Sequence, residues 1–471
     1  MKKEKQVLSE RSRIALSGEE MRKFGYAVVD LLVEHFASVR DDRVGSKSNP
    51  AKLIPLFDID PPENGRDPNE ILGQLERDVL PNNLHVDHPR FFAFVPGPNN
   101  FVSAMADAIA AGFQIFNGTW FGGSAAAALE LGVIRWLGRV CGLPATAGGL
   151  FVSGGSVANM TGLMAARHAM LQDKVENATV YFSDQTHSSV ERALRVIGFL
   201  PEQIRKLKSD DNFRLSIQTL RAAIAQDRAK DLQPFCVIAN AGTTNTGAVD
   251  PLSELADFCA KEKLWLHVDG AFGAASILSE RGRSVLGGLD RVDSLTLDPH
   301  KWLFQSFECG CVLVRDAALL KSAFQIRADY LRDVYREIEE VNPSDYGIQL
   351  TRSFRALKIW LSLQTFGLAA FRKAITRGFE LAEIAERELR ARKNWEILSP
   401  AQMATVCFRF GNNDDVQTQL VDLTMNDGYA LLTSTTLRGA VALRLCTINP
   451  RTTEDDIVGT IDRLDELARQ L

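Results

Sequence analysis

A chain of 471 residues has room for two or three domains, and its 45% hydrophobic and 24% charged content is that of an ordinary globular protein. A net charge of −5 with no basic block argues against nucleic acid as a partner, and no run approaches the length of a membrane span. Seven scattered cysteines and seven histidines give no Cys-x-x-Cys and no His-Glu-x-x-His pattern, so no metal is expected. The start, Met1-Lys2-Lys3-Glu4-Lys5, is charged with no apolar stretch behind it, which predicts a soluble, cytoplasmic protein.

Residues 17–38 read as an amphipathic helix. Ser17 and Glu20 form a capping box, and Met21, Phe24, Val28, Leu31, Leu32 and Phe36 follow helical spacing. Residues 42–70, rich in Pro, Asp, Asn and Gly, read as irregular connection, followed by a helix from Asn69 to Asp78. The segment from His88 to Pro98 holds Phe91, Phe92 and Phe94 between prolines and cannot form a long helix. Residues 101–140 are rich in small residues and helical.

From Gly149 the pattern changes. Strands are predicted at 149–153, 178–183, 235–240, 264–269, 293–297 and 311–314, with helices at 156–172, 188–197, 216–227 and 252–262 between them. Apolar strands alternating with helices predict an α/β fold with a mostly parallel sheet covered on both faces. Beyond 358 come a long charged helix over 371–393, short strands at 395–398, 404–410 and 440–446, and helices at 414–427 and 453–469. That is a small α+β domain. The expected organisation is therefore an N-terminal helical segment (1–98), a large domain (99–357) and a small C-terminal domain (358–471).

An open parallel sheet binds ligands beyond the carboxyl ends of its strands. The residues there are Gly154-Gly155-Ser156, then Asp184 and His187, then Gly242-Thr243-Thr244, then Asp269, then Lys301. Lys301 stands in Asp298-Pro299-His300-Lys301-Trp302, between apolar runs, where a lysine is out of place unless its amine is put to use. Each residue has a task if the ligand is pyridoxal 5'-phosphate. Lys301 can form a Schiff base with its aldehyde. Asp269 can keep the pyridine nitrogen protonated. The Gly-Gly-Ser helix start can offer N–H groups to the phosphate. His187 can stack on the ring, and Thr243 or Thr244 can hold the ring oxygen or the Asp269 carboxylate.

These residues, with Asp184 to Glu191, Gly242-Thr243-Thr244, His267 to Ala271, Pro299 to Trp302, His88 to Ala93 and Phe354 to Trp360, resemble the group II pyridoxal-phosphate decarboxylases. That family includes the aromatic-L-amino-acid, histidine and glutamate decarboxylases, and the resemblance runs from about residue 17 to 465. It implies a type I pyridoxal-phosphate fold, a homodimer with interfacial sites, and decarboxylation of an L-amino acid to an amine and carbon dioxide. Aromatic substrates are favoured. An aldehyde-forming decarboxylase-deaminase, or an acidic or aliphatic substrate, is the alternative. It also implies that Lys301, Asp269 and His187 act on the cofactor, with Ala271 on the ring's other face. Gly155, Ser156 and His300 fall on the phosphate side, and Thr244 on the ring-oxygen side. Tyr330, at the position of a mobile-loop tyrosine, is implied to return a proton to the substrate carbon.

Phe94, Pro96 and Thr351 fall on substrate-pocket positions. Three departures stand out. Asp298 replaces the usual asparagine, Val95 and Gly97-Pro98 replace bulkier or hydroxylated residues, and the 154–159 loop is nearer the glutamate branch. Arg444 has two readings, a donor to a substrate carboxylate or a structural ion pair.

Overall fold

The computed structural model describes residues 14–326, Asp329, Val334 and 340–471. The described chain divides into two compact units, one ending at His85 and the other spanning Val86–Leu471.

In the first unit, a helix spans Gly18–Ser38. Both bonds of its capping box are made, Glu20 N–H to Ser17 Oγ at 3.2 Å and Ser17 N–H to Glu20 Oε2 at 2.7 Å. The supposedly irregular stretch holds a second helix, Pro50–Phe57, with Asn49 capping Ala51 N–H and Pro50 at the first helical position. A third helix, Pro68–Asp78, is capped by Asp67.

The second unit is built on a seven-stranded sheet. Its strands are β1 (Gly148–Val152), β2 (Ala178–Ser183), β3 (Ile204–Leu207), β4 (Gln233–Asn240), β5 (Trp265–Asp269), β6 (Ser294–Leu297) and β7 (Gly310–Val314). Their order across the sheet is β1-β7-β6-β5-β4-β2-β3. The β2–β6 strands pair in parallel, and β7 runs antiparallel to both β6 and β1. Consequently β1, β2, β4, β5 and β6 all point the same way, and their carboxyl ends share one rim. β2, β5, β6 and β7 are buried along their whole length, as strands covered by helices on both faces must be. β3 is an edge strand whose residues are half-buried or exposed, which is why its Ile-Arg-Lys-Leu run carries no strand signal.

The 101–140 region forms two helices, Phe101–Gly112 and Trp120–Val140, each with a side-chain cap, from Asn100 and Thr119. A long helix spans Ala356–Arg390 and is broken at Gly367, whose φ of +72° is open to glycine at little cost. A second sheet, of four antiparallel strands, is β8 (Trp395–Gln402), β9 (Thr405–Phe410), β10 (Thr433–Leu437) and β11 (Ala440–Cys446), in the order β10-β11-β9-β8. All seven cysteines are free and buried, and burial pushes the thiols of Cys141, Cys259, Cys309 and Cys407 up to about 12.

Among the described residues no helix is long and apolar enough to cross a membrane, and no group of three or more His, Cys, Asp or Glu is placed to hold a metal.

Candidate active site

Trp302 fixes the turn after β6. Its indole is fully buried, stacked on Phe272 at 5.3 Å and tilted against Phe379 at 5.2 Å. Burying a side chain of that size is worth on the order of 3 kcal/mol, so the residue before it cannot swing into water freely. The Lys301 side chain stays 24% exposed and lines a cavity of about 330 Å³ at the shared rim. Asp269, His187 and Thr244 line the same cavity from β5, β2 and β4. Gly155, Ser156, Ala271 and His300 complete the set.

At one end of this cavity the helix Gly155–Leu171 begins with no side-chain cap. Its first N–H groups and the positive end of its dipole are left to a ligand. A Cβ on Gly155 would lie 2.8 Å from Asp298 Oδ2 and 3.1 Å from the Ala271 Cβ, so only glycine keeps this cradle open. Asp298 is 2% exposed. Its Oδ2 pairs with Lys301 Nζ at 3.0 Å and lies 3.6 Å from His300 Nε2, while its Oδ1 is buried with no hydrogen-bond partner. His300 Nδ1 accepts the Cys309 N–H at 3.1 Å, and burial pulls the imidazole below its ordinary pKa.

Gly242 turns the chain after β4 with a φ of +95°. Thr243 and Thr244 both line the cavity, and Thr243 spends its hydroxyl on Thr246 Oγ1 at 3.0 Å. His187 caps its own helix, its Nδ1 accepting the Ser189 N–H at 3.3 Å and facing Ser189 Oγ at 2.8 Å. Desolvation by the cavity walls lowers its pKa, the Asp269 charge opposing and the Lys301 charge adding to that shift. Asp269 is 7% exposed and accepts hydrogen bonds from Asn159 Nδ2 at 3.0 Å and Ala271 N–H at 3.2 Å.

Three expected residues stand elsewhere. Phe94 is 58% exposed at a φ of +51°, Pro96 is buried, and neither lines the cavity. Thr351 is exposed and borders a separate cavity of about 370 Å³ beside Asp107 and Gln114. A fourth, Tyr330, lies outside the described residues. The departure at Gly97 has a physical counterpart: a Cβ there would collide with Phe307 Cζ, and the Phe307 ring sits edge-on to His300 at 5.1 Å. Arg444 is buried, and its guanidinium bonds to the carbonyl oxygens of Phe94 and Asn245, with Nη2 left unpartnered.

Sequence reasoning missed the residues behind the acid: Asn159, Ser189, Thr296 and His267, all buried. One signal was available. His267 is two residues before Asp269 in an otherwise apolar strand, and so shares its face of the sheet.

The conserved domain of pyridoxal-dependent decarboxylases matches residues 50–411. An aromatic-L-amino-acid decarboxylase from Bacillus atrophaeus is 47% identical, over 97% of either chain. A phenylacetaldehyde synthase from Arabidopsis thaliana is 29% identical, over 93% of this chain and 94% of that one. The crystal structure of Oryza sativa TDC with PLP and tryptamine superposes with a TM-score of 0.92 at 27% identity, covering 98% of this chain and 99% of that one.

Proposed function

Because the chain belongs to the pyridoxal-dependent decarboxylase family, we propose that it converts an aromatic L-amino acid (Trp, Tyr, Phe or dihydroxyphenylalanine) to its amine and carbon dioxide. It is a pyridoxal-phosphate-dependent carboxy-lyase of type I fold. The observation that carries the site assignment is the meeting, in one cavity, of a lysine amine, a buried carboxylate and an uncapped helix start. The residues fit the cofactor. Gly155 and Ser156 offer N–H groups to a phosphate in a cradle that a Cβ would fill, and Lys301 supplies the amine that takes the aldehyde.

When bound, the pyridine ring supplies the electron sink for the pair left behind as carbon dioxide departs. The protein's own groups do the rest. With the cofactor in place, Asp269 would hold a proton at the pyridine nitrogen, His187 and Ala271 would contact the ring, and Thr244 would serve the ring oxygen. His300 stands on the phosphate side. Asp298 receives the Lys301 ammonium whenever that amine is free. Arg444 does not line the cavity, and its buried guanidinium holds the Phe94 and Asn245 carbonyls instead. Phe94, Pro96 and Thr351, outside the cavity of a single chain, act in side-chain selection only through the homodimer, and Tyr330 is assigned to returning a proton to Cα.

A homodimer is part of this proposal. The Gly18–Ser38 helix buries none of its residues fully and exposes Met21, Tyr26 and Val33. A cytoplasmic location goes with it, as does the three-part organisation at 98 and 357.

An amino-acid panel scored for carbon dioxide, amine, aldehyde, ammonia and peroxide tests the function. Amine and carbon dioxide in equal amounts from aromatic substrates are expected. Aldehyde with ammonia from the same substrates, or turnover of glutamate alone, would overturn the proposal. Tyr330→Phe should move product from amine toward aldehyde, and unchanged amine output removes Tyr330 from the proton step.

A further inference from the structure

Asp269 is held from behind by hydrogen bonds that permit only one direction. An ionised carboxylate accepts and cannot donate, so the Asn159 group 3.0 Å from Asp269 Oδ2 is the amide NH₂. The Asn159 oxygen then faces Thr296 Oγ1 at 2.7 Å and His267 Nε2 at 3.0 Å, and both must donate to it. His267 therefore carries its proton on Nε2, and its Nδ1 must accept from Ser294 Oγ at 2.7 Å. Ser294 can give that proton because its oxygen already takes the Trp265 indole N–H at 2.8 Å. Full burial holds His267 neutral by lowering its pKa to about 4.

The second N–H of the Asn159 amide points at Ser189 Oγ, 3.1 Å away. Ser189 is thereby left to donate to His187 Nδ1 at 2.8 Å. His187 then carries its proton on Nε2. One buried amide thus sets both the acceptor state of the acid and the tautomer of the imidazole beside it.

We infer that Asn159 is the positioning residue of this site: held by the Trp265–Ser294–His267 relay and Thr296, it fixes the Asp269 carboxylate as a hydrogen-bond acceptor at the cavity and His187 with its proton on Nε2. The inference rests on the cofactor reading above, since it is the pyridine nitrogen that Asp269 serves.

The experiment uses the full-length holoenzyme with ¹⁵N-labelled pyridoxal phosphate, and separately with ¹⁵N-labelled histidine. In the parent, the pyridine nitrogen should be protonated and both His187 and His267 should carry their proton on Nε2. Asn159→Leu should move the pyridine signal toward the unprotonated position. It should also lower kcat roughly tenfold or more, the loss of one bond to a charged group, with KM changing far less. His267→Gln, which keeps a donor near the Nε2 position, should match the parent. His267→Phe, which removes it, should follow Asn159→Leu.

A protonated pyridine in Asn159→Leu, or His187 protonated on Nδ1 in the parent, overturns the inference. If Asn159→Leu does not fold, the parent tautomers and the two His267 variants decide alone. A parent that binds no pyridoxal phosphate overturns the cofactor reading and this inference with it. A parent that binds the cofactor, with Asn159→Leu unchanged, overturns only the relay.

Discussion

Gly310 sits opposite Val152 where β7 pairs with β1, directly beneath the turn that opens the phosphate cradle. A methyl group there would lie 2.5 Å from Gly154 Cα, 2.6 Å from its carbonyl carbon and 2.8 Å from its nitrogen. Ordinary contact begins at 3.4 Å, so the turn must retreat by 3.4 − 2.5 = 0.9 Å. The obstacle is backbone on both sides, and no side chain can rotate away. Overpacking of this kind costs about 1–3 kcal/mol in stability. The larger effect falls on the ligand. A retreat of that size breaks at least one N–H contact to a dianion, and each such contact is worth about 1.5–3 kcal/mol. Gly310→Ala should therefore weaken pyridoxal phosphate binding roughly ten- to a hundredfold. Gly112→Ala, at an exposed helix end with nothing within 4 Å, should leave it unchanged. Equilibrium dialysis of the apoenzymes measures the affinity, and denaturant unfolding confirms that the Gly310→Ala variant is folded. A folded variant that binds the cofactor as tightly as the parent refutes the assignment of this turn to the phosphate.

Lys301→Arg keeps the charge facing Asp298 but removes the primary amine, so borohydride should no longer fix the cofactor to the chain, as peptide mass mapping would reveal. Arg352→Met strips Glu130 of its buried partner at 2.6 Å, their side chains being 0% and 3% exposed. That should cost about 3–5 kcal/mol in urea unfolding, and Glu130→Leu combined with it should cost less than the two separate losses added together. The folded-state pKa of His267 lies near 4, below its ordinary 6.5. Its contribution is therefore present above 6.5 and lost as pH falls toward 4, amounting to roughly 3 kcal/mol. Asp250, raised to about 6 by burial, acts in the opposite sense over an overlapping range. The check is thus the difference between parent and His267→Gln in unfolding free energy at pH 7 and at pH 4.5, and a difference independent of pH defeats it.

The parallel sheet and its loaded rim are legible in the sequence because fully buried strands are short apolar runs and the chemistry follows each one. Asp269, His187 and Lys301 each stand at or just past a strand end, where a linear reading looks for them. What escapes it depends on partners far away in the chain. Asn159 lies 110 residues from the aspartate it serves, and nothing local marks it. β3 and the Pro50–Phe57 helix escape for the opposite reason. An edge strand needs no apolar alternation, and a proline-rich helix looks like a loop until Asn49 and Pro50 are read as its cap and first residue. Phe94, Pro96 and Thr351 stand outside the cavity of a single chain because aromatic or hydroxyl character does not fix which surface a residue faces.

The seven sheltered sulfurs give the molecule a built-in clock. A maleimide in the surrounding water meets no thiol while the fold is closed, so each labelling event records an opening. Cys309 and Cys311 flank the Gly310 strand start beneath the cradle, whereas Cys407 and Cys446 belong to the four-stranded sheet. The order in which these sites acquire label would tell whether the cradle or the four-stranded sheet lets go first.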